Sequence, residues 1–198
     1  MTDRPPPEAL REETLNSERI YDGTVVSLRR DTLRLADGSQ VVREVIEHTA
    51  AVVILAIDDE GRIAFVRQWR TPIGRDVLEL PAGSLEPGED PEATAMRELQ
   101  EEAGLKPGTL EPIHRFYVAP GWATEKLHGF IARDCTPSVL AADADERIAV
   151  EFYNLGQALD LVDSGGIEDA KTILMLQACA LRAVGPLGAK IWRYYRGE

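Results

Sequence analysis

The stretch GSLEPGEDPEATAMRELQEEAGL, Gly83–Leu105, decides how the rest of the chain reads. Asp90 is a natural N-cap, because its side-chain oxygen accepts from the first free amides of a helix. Pro91 fits the first helical position, where no amide hydrogen is needed. Glu92 favours the positive end of the helix dipole. Helical patterning runs on to Ala103, and Gly104 stands where a left-handed stop belongs. Met96, Leu99 and Ala103 recur at three- and four-residue spacing and are expected to form the buried stripe. Glu98, Glu101 and Glu102 then share one face, expected to lie opposite that stripe. Like charges so placed repel by about 0.3 kcal/mol per exposed pair.

Two readings account for the repulsion. One is a solvated acidic face, with Arg97 relieving part of the charge through Glu101 four residues on. The other is a site for a hard divalent cation, which prefers oxygen ligands, keeps several waters and shares substrate phosphates. The loop Gly83–Gly88 brings backbone towards the same volume.

Composition sharpens the choice. The chain has 198 residues, of which 44% are hydrophobic, enough for one domain with a real core. Lys and Arg number 22 against 34 Asp and Glu, giving a net charge of −12. Such a balance disfavours nucleic acid and anionic membrane as partners, since neither is attracted to it. A phosphate-bearing substrate would need positive charge from a bound cation. Cys135 and Cys179 match no zinc spacing and form no disulfide scaffold. The N-terminal MTDRPPPEALREETL lacks a signal-peptide pattern and no apolar run reaches spanning length, so the expected compartment is the cytoplasm.

Along the chain, residues 1–17 read as a loosely held polar arm. Residues 18–48 read as an antiparallel strand region turning at Asp37-Gly38. AAVVILAI (Ala50–Ile57) is a continuous apolar run suited to a strand buried on both faces. IAFVRQWR, VLELPAG, IHRFYVA, KLHGFIA and RIAVEFYNL read as further extended segments, and GQALDLVDSG and DAKTILMLQACALRAV as helices. Several strands are joined too tightly for parallel crossovers, so the fold class is α/β, an α/β/α arrangement around a mixed sheet. The main domain is placed at 49–185, with a tail at 186–198. His48, His114 and His128 stand at no ligand spacing, and Trp69 reads as core or interface.

The spacing Gly83, five residues, Glu89, seven residues, Arg97-Glu98-Leu99, one residue, Glu101-Glu102, one residue, Gly104-Leu105 resembles the Nudix box at every specified position. The flanks RQWRTPIGRDVLELPAGSLEPGE, APGWATEKLHGFIA, RIYDGTVVSLRRDTLRLADG and GGIEDAKTI resemble the ADP-ribose pyrophosphatase branch of that family. Pro120, fifteen residues after Leu105, is part of that match. Together the resemblance covers residues 19 to about 183.

The resemblance implies a Nudix-type α/β/α sandwich that cleaves a nucleotide-sugar pyrophosphate with Mg²⁺, or Mn²⁺ in its place. ADP-ribose would yield AMP and ribose 5-phosphate. It implies a metal held by the Ala82 carbonyl, Glu98 and Glu102, with Glu101 as a further ligand or water-holder. Arg97 would orient a box carboxylate. Arg43 and Arg70 would reach substrate phosphates or the terminal ribose, and Glu125 would lie near that ribose. Glu146 in AADADERIAVEFY aligns best with the carboxylate that serves as base, although Ala144 stands where some relatives carry a second acid. Relatives in this branch exchange N-terminal strands across a two-fold axis, so a homodimer is expected. GDP-mannose or another nucleotide sugar is the alternative substrate. A non-catalytic ADP-ribose sensor is the alternative of another class.

Overall fold

Six consecutive buried residues, AVVILA, make strand β4 the axis of the main unit. The structure is a computed structural model and describes residues 8–141, 147–183 and 185. The chain divides into two compact units, the first taking residues up to Ala50 together with Phe116–Lys126 and the second the remainder.

The first unit is built on β1 (Glu13–Asp22), β2 (Ser27–Arg34) and β3 (Gln40–Glu47), an antiparallel sheet in that order. Asp37-Gly38 makes the expected turn, Gly38 standing at φ +86 where only glycine is at ease. β1 begins inside the segment expected to be a loose arm, so Glu13–Ser17 are paired strand and not arm. Its residues ETLNSERIYD show no apolar alternation because the strand is exposed along its whole length. Cross-strand charge pairs hold it instead: Glu13 with Arg34, Glu18 with Arg30, and Arg19 with Glu47. The Ala119–Thr124 loop docks on β3, with the Ile46 amide donating to the Trp122 carbonyl at 2.8 Å.

The second unit contains β4 (Ala51–Ala56), β5 (Arg62–Arg70), β6 (Arg75–Glu79), β7 (Ala82–Ser84), α1 (Pro91–Glu102), β8 (Leu105–Lys106) and β9 (Thr109–Tyr117). It continues through β10 (Lys126–Arg133), β11 (Thr136–Pro137), β12 (Ile148–Asn154), α2 (Leu155–Asp163) and α3 (Ala170–Ala183). The end residues of β9 and β10 belong to the first unit. One sheet has the order β7-β4-β10-β9, with β4 parallel to β10 and antiparallel to β7. A second, β12-β5-β6, is antiparallel, and a two-stranded ribbon pairs β11 with β8.

Helices cover both faces of the first of these sheets, so the mixed α/β/α reading holds. On one face Val52, Ile54, Phe130 and Ala132 pack with Ala95 and Leu99 of α1. Burying Leu99 completely contributes about 2 kcal/mol. On the other face α3 lies against β4, and its Met175 sulfur sits where a β-carbon on Gly129 would be 2.6 Å away. Cys135 and Cys179 are both free and buried, and burial pushes the Cys135 thiol up to about 11. Trp69 is 62% exposed, so it is not core. Among the described residues no helix is long and apolar enough to cross a membrane.

Candidate active site

The helix α1 forms for the reasons its sequence implies. Asp90 caps it by accepting from the Glu92 amide at 3.0 Å, Pro91 is its first residue, and Gly104 follows at φ +66. Its inward face differs from the expected one. Ala95 and Leu99 are fully buried, whereas Met96 is 38% exposed. Glu98 and Glu102 do not lie opposite the apolar stripe. They flank it, and are 9% and 5% exposed. Ala95, Glu98, Leu99 and Glu102 fall on one side of a 3.6-residue helix, so a buried face must include these acids.

Two backbone contacts explain how buried carboxylates are tolerated. Glu102 accepts a hydrogen bond from the Ala82 amide at 2.9 Å. The Glu98 carboxylate rests on Gly83, where an added β-carbon would lie 1.9 Å from its carboxyl carbon. That cradle exists only because residue 83 has no side chain.

Arg97 supplies the local counter-charge. Its Nε and Nη2 each donate to Glu89 at 3.1 Å. Its Nη1 lies 2.8 Å from Glu98 and 2.9 Å from Glu101. One guanidinium therefore serves three carboxylates. The Arg97 hydrogen bond holds the Glu89 carboxyl down at about 2, and the Arg97 pKa is raised in return. The repulsion expected from sequence is thus relieved by protein as well as by any cation. Counting Glu89, Glu98, Glu101 and Glu102 against Arg97, the group has a formal charge of 1 − 4 = −3.

The donors are all oxygen, the chemistry a hard divalent ion prefers. Among the described residues no three His, Cys, Asp or Glu side chains already form a metal cage. An ion here would complete its shell from backbone oxygen, water and substrate. With that completion, the oxygen chemistry of Glu98 and Glu102, both buried at the cradle, fits such an ion.

Arg70 sits at the end of β5 and is bound on two sides by Glu79, Nε to Oε1 at 2.6 Å and Nη2 to Oε2 at 2.8 Å. Glu79 is 3% exposed. Burial alone would raise its carboxyl, but Arg70 and Lys171 outweigh that and hold it below the ordinary range. The hydrogen bonds to Glu79 raise the Arg70 pKa, and the charge of Glu102 adds to that in smaller measure. Lys171, Asp169, Thr172 and Glu79 were not singled out from sequence, although LELPAG and DAKTI contain them.

The remaining residues belong to the other unit or fall outside the described ones. Arg43, opposite Asp31 in the β2–β3 ladder, pairs with Glu12 at 3.0 Å. Glu125 is 3.7 Å from the His48 Nδ1. Both belong to the first unit. Glu146 lies outside the described residues.

The family profile described as "NUDIX domain" matches residues 47–176. The chain belongs to the NUDIX family. The Nudix box is the α1 helix with its preceding loop, and hydrolases of this family use divalent metal ions. An "ADP-ribose pyrophosphatase" of Bacillus subtilis (strain 168) is 41% identical over 179 residues, covering 88% of this chain and 96% of that protein. A "Methanol dehydrogenase activator" of Bacillus methanolicus is 37% identical over 173 residues, covering 86% and 94%. A solved structure described as "Crystal structure of ADP compounds hydrolase" superposes with a TM-score of 0.80 at 24% identity, covering 88% of this chain and 96% of that one. That likeness concerns the Nudix fold.

Proposed function

We propose that this Nudix hydrolase cleaves the pyrophosphate bond of ADP-ribose with Mg²⁺, adding water to give AMP and ribose 5-phosphate. The observation that carries the reading is the pair of buried carboxylates, Glu98 against Gly83 and Glu102 on the Ala82 amide. The 41% identity to an ADP-ribose pyrophosphatase across most of both chains supports the substrate.

The division of labour rests on the family resemblance, supported at α1 and Arg70 by the contacts described above. Glu98, Glu102 and the Ala82 carbonyl would hold the cation, and Glu101 would contribute a further oxygen. When bound, the cation neutralises diphosphate charge and lowers the pKa of a coordinated water. Arg97 keeps Glu89, Glu98 and Glu101 from spreading apart. Arg70, locked by Glu79, offers its remaining donors to the substrate phosphates. Arg43 and Glu125 recognise the outer parts of the substrate, and Glu146 removes the proton from the attacking water.

The working form is a homodimer in the cytoplasm. Tyr21 is 59%, Val25 71% and Val42 56% exposed on the first unit, apolar surface that a second copy would cover. Sedimentation should give twice the chain mass; a monomer at working concentration would contradict the assembly.

The test is a substrate panel with Mg²⁺ and with Mn²⁺: ADP-ribose, GDP-mannose, NADH, a diadenosine polyphosphate and 8-oxo-dGTP, with products read by chromatography. ADP-ribose should give the highest kcat/KM. A preference for GDP-mannose would replace the substrate, and binding of ADP-ribose without turnover would favour a sensor.

A further inference from the structure

We infer that the start of α3 is a positioning clamp for the metal edge of the site, with Thr172 as its central residue. The inference rests on the proposed reading in one respect, that Ala82 and Glu102 hold the cation. Thr172 is fully buried and lies on a helix that carries none of the box residues. Its hydroxyl donates to Asp169 Oδ2 at 2.6 Å and accepts from the Leu80 amide at 2.9 Å. Asp169 Oδ2 also accepts from the Thr172 amide at 3.0 Å, capping the first turn of α3. Asp169 Oδ1 is 3.0 Å from Lys171, and Lys171 is bound to Glu79.

The hydrogen bonds of Leu80–Ala82 show why this matters. The Leu80 amide is held by Thr172, the Pro81 carbonyl by the Ile54 amide at 2.9 Å, and the Ala82 amide by Glu102. Three different elements therefore fix three consecutive residues: α3, β4 and α1. Pro81 has a restricted φ and no amide hydrogen, so it transmits displacement more than it absorbs it. Glu79, the residue before Leu80, is tied to the same clamp through Lys171. Leu80 is fully buried, so losing the hydroxyl would strand its amide and oblige the segment to shift. The residue that moves with it is Ala82, whose amide aims Glu102 and whose carbonyl would be a ligand of the cation in the proposed reading. Thr172 is a positioning residue: it acts on the ion only through Leu80–Ala82.

The experiment compares Thr172→Val, which keeps the shape and removes the hydroxyl, with Thr172→Ser, which keeps the hydroxyl. Affinity for Mn²⁺ alone, without nucleotide, is read from the free-ion electron paramagnetic resonance signal, alongside thermal melting. Thr172→Val should weaken Mn²⁺ binding by about tenfold or more, the range for partners that orient a metal ligand, and Thr172→Ser should restore it. A Thr172→Val protein that melts lower yet binds Mn²⁺ like the parent would overturn the inference, because a purely structural contact predicts that result. Should that variant not fold, amide exchange of the wild-type protein decides: adding Mg²⁺ should slow exchange at Leu80, and an unchanged rate would overturn the clamp. ADP-ribose turnover is scored separately. An enzyme that ignores ADP-ribose but shows the Mn²⁺ effect removes the substrate reading and leaves the clamp standing.

Discussion

Gly83→Ala tests the site at its tightest point. The Gly83 backbone is not left-handed, so alanine suits its φ. The new β-carbon would lie 1.9 Å from the Glu98 carboxyl carbon and 2.0 and 2.3 Å from its oxygens. Carbon contacts relax only at about 3.5 Å, so the carboxylate must retreat by about 1.6 Å. It is the far end of a flexible side chain and can retreat without unfolding α1. The added methyl group also restricts the unfolded chain, stabilising the fold by about 0.5 kcal/mol. Tm should therefore move by no more than about 4 °C. Activity should not survive as well. A misplacement of about 1 Å at a reacting centre costs about 100-fold, equivalent to about 2.7 kcal/mol of transition-state stabilisation. The assay is AMP release from ADP-ribose with Mg²⁺, with melting curves on the same samples. A variant that melts like the parent and keeps kcat/KM near the parent value would refute the argument that Gly83 is small so that Glu98 can hold the ion.

Glu102→Gln keeps an acceptor for the Ala82 amide but removes the charge, so fold should persist while turnover falls by at least about 100-fold, measured as AMP release. Glu79→Ala leaves Arg70 and Lys171 without their buried partner and should lower stability by about 3 kcal/mol, seen as a Tm about 6–12 °C lower. The Glu89 carboxyl, held at about 2 against an ordinary 4.5, contributes stability that is complete above 4.5 and lost as pH falls towards 2. Tm of the parent should thus drop through that window more steeply than Tm of Glu89→Gln; equal slopes would show that the Arg97 contact is not what titrates.

Much of the fold was legible because its signals are local. Asp90, Pro91 and Gly104 bound α1 by capping chemistry alone, and the apolar run at β4 announces a strand covered on both sides. The first half of β1, Glu13–Ser17, was not legible, because a strand held by cross-strand charge pairs leaves no apolar period to read. The burial of Glu98 and Glu102 was hidden for a related reason. A carboxylate facing inward is stabilised by backbone amides and by an absent side chain at residue 83, and neither has a periodicity. Arg70 could be named from its neighbours in sequence, but its attachment to Glu79 and Lys171 joins β5, β6 and α3, which only the tertiary fold brings together. Thr172 carries no signal at all in a helix whose alternation reads as core.

The guanidinium of Arg97 has a consequence for how such a sequence tolerates drift. Because it is shared among Glu89, Glu98 and Glu101, the loss of any one acid frees donors that the other two then compete for. Substitutions at these positions are therefore not independent, and their costs should not add. Lysine, a single point of charge without the planar fork, is no replacement for the hub. The effect of any one change in this stretch therefore depends on which of the other acids still stands beside the guanidinium.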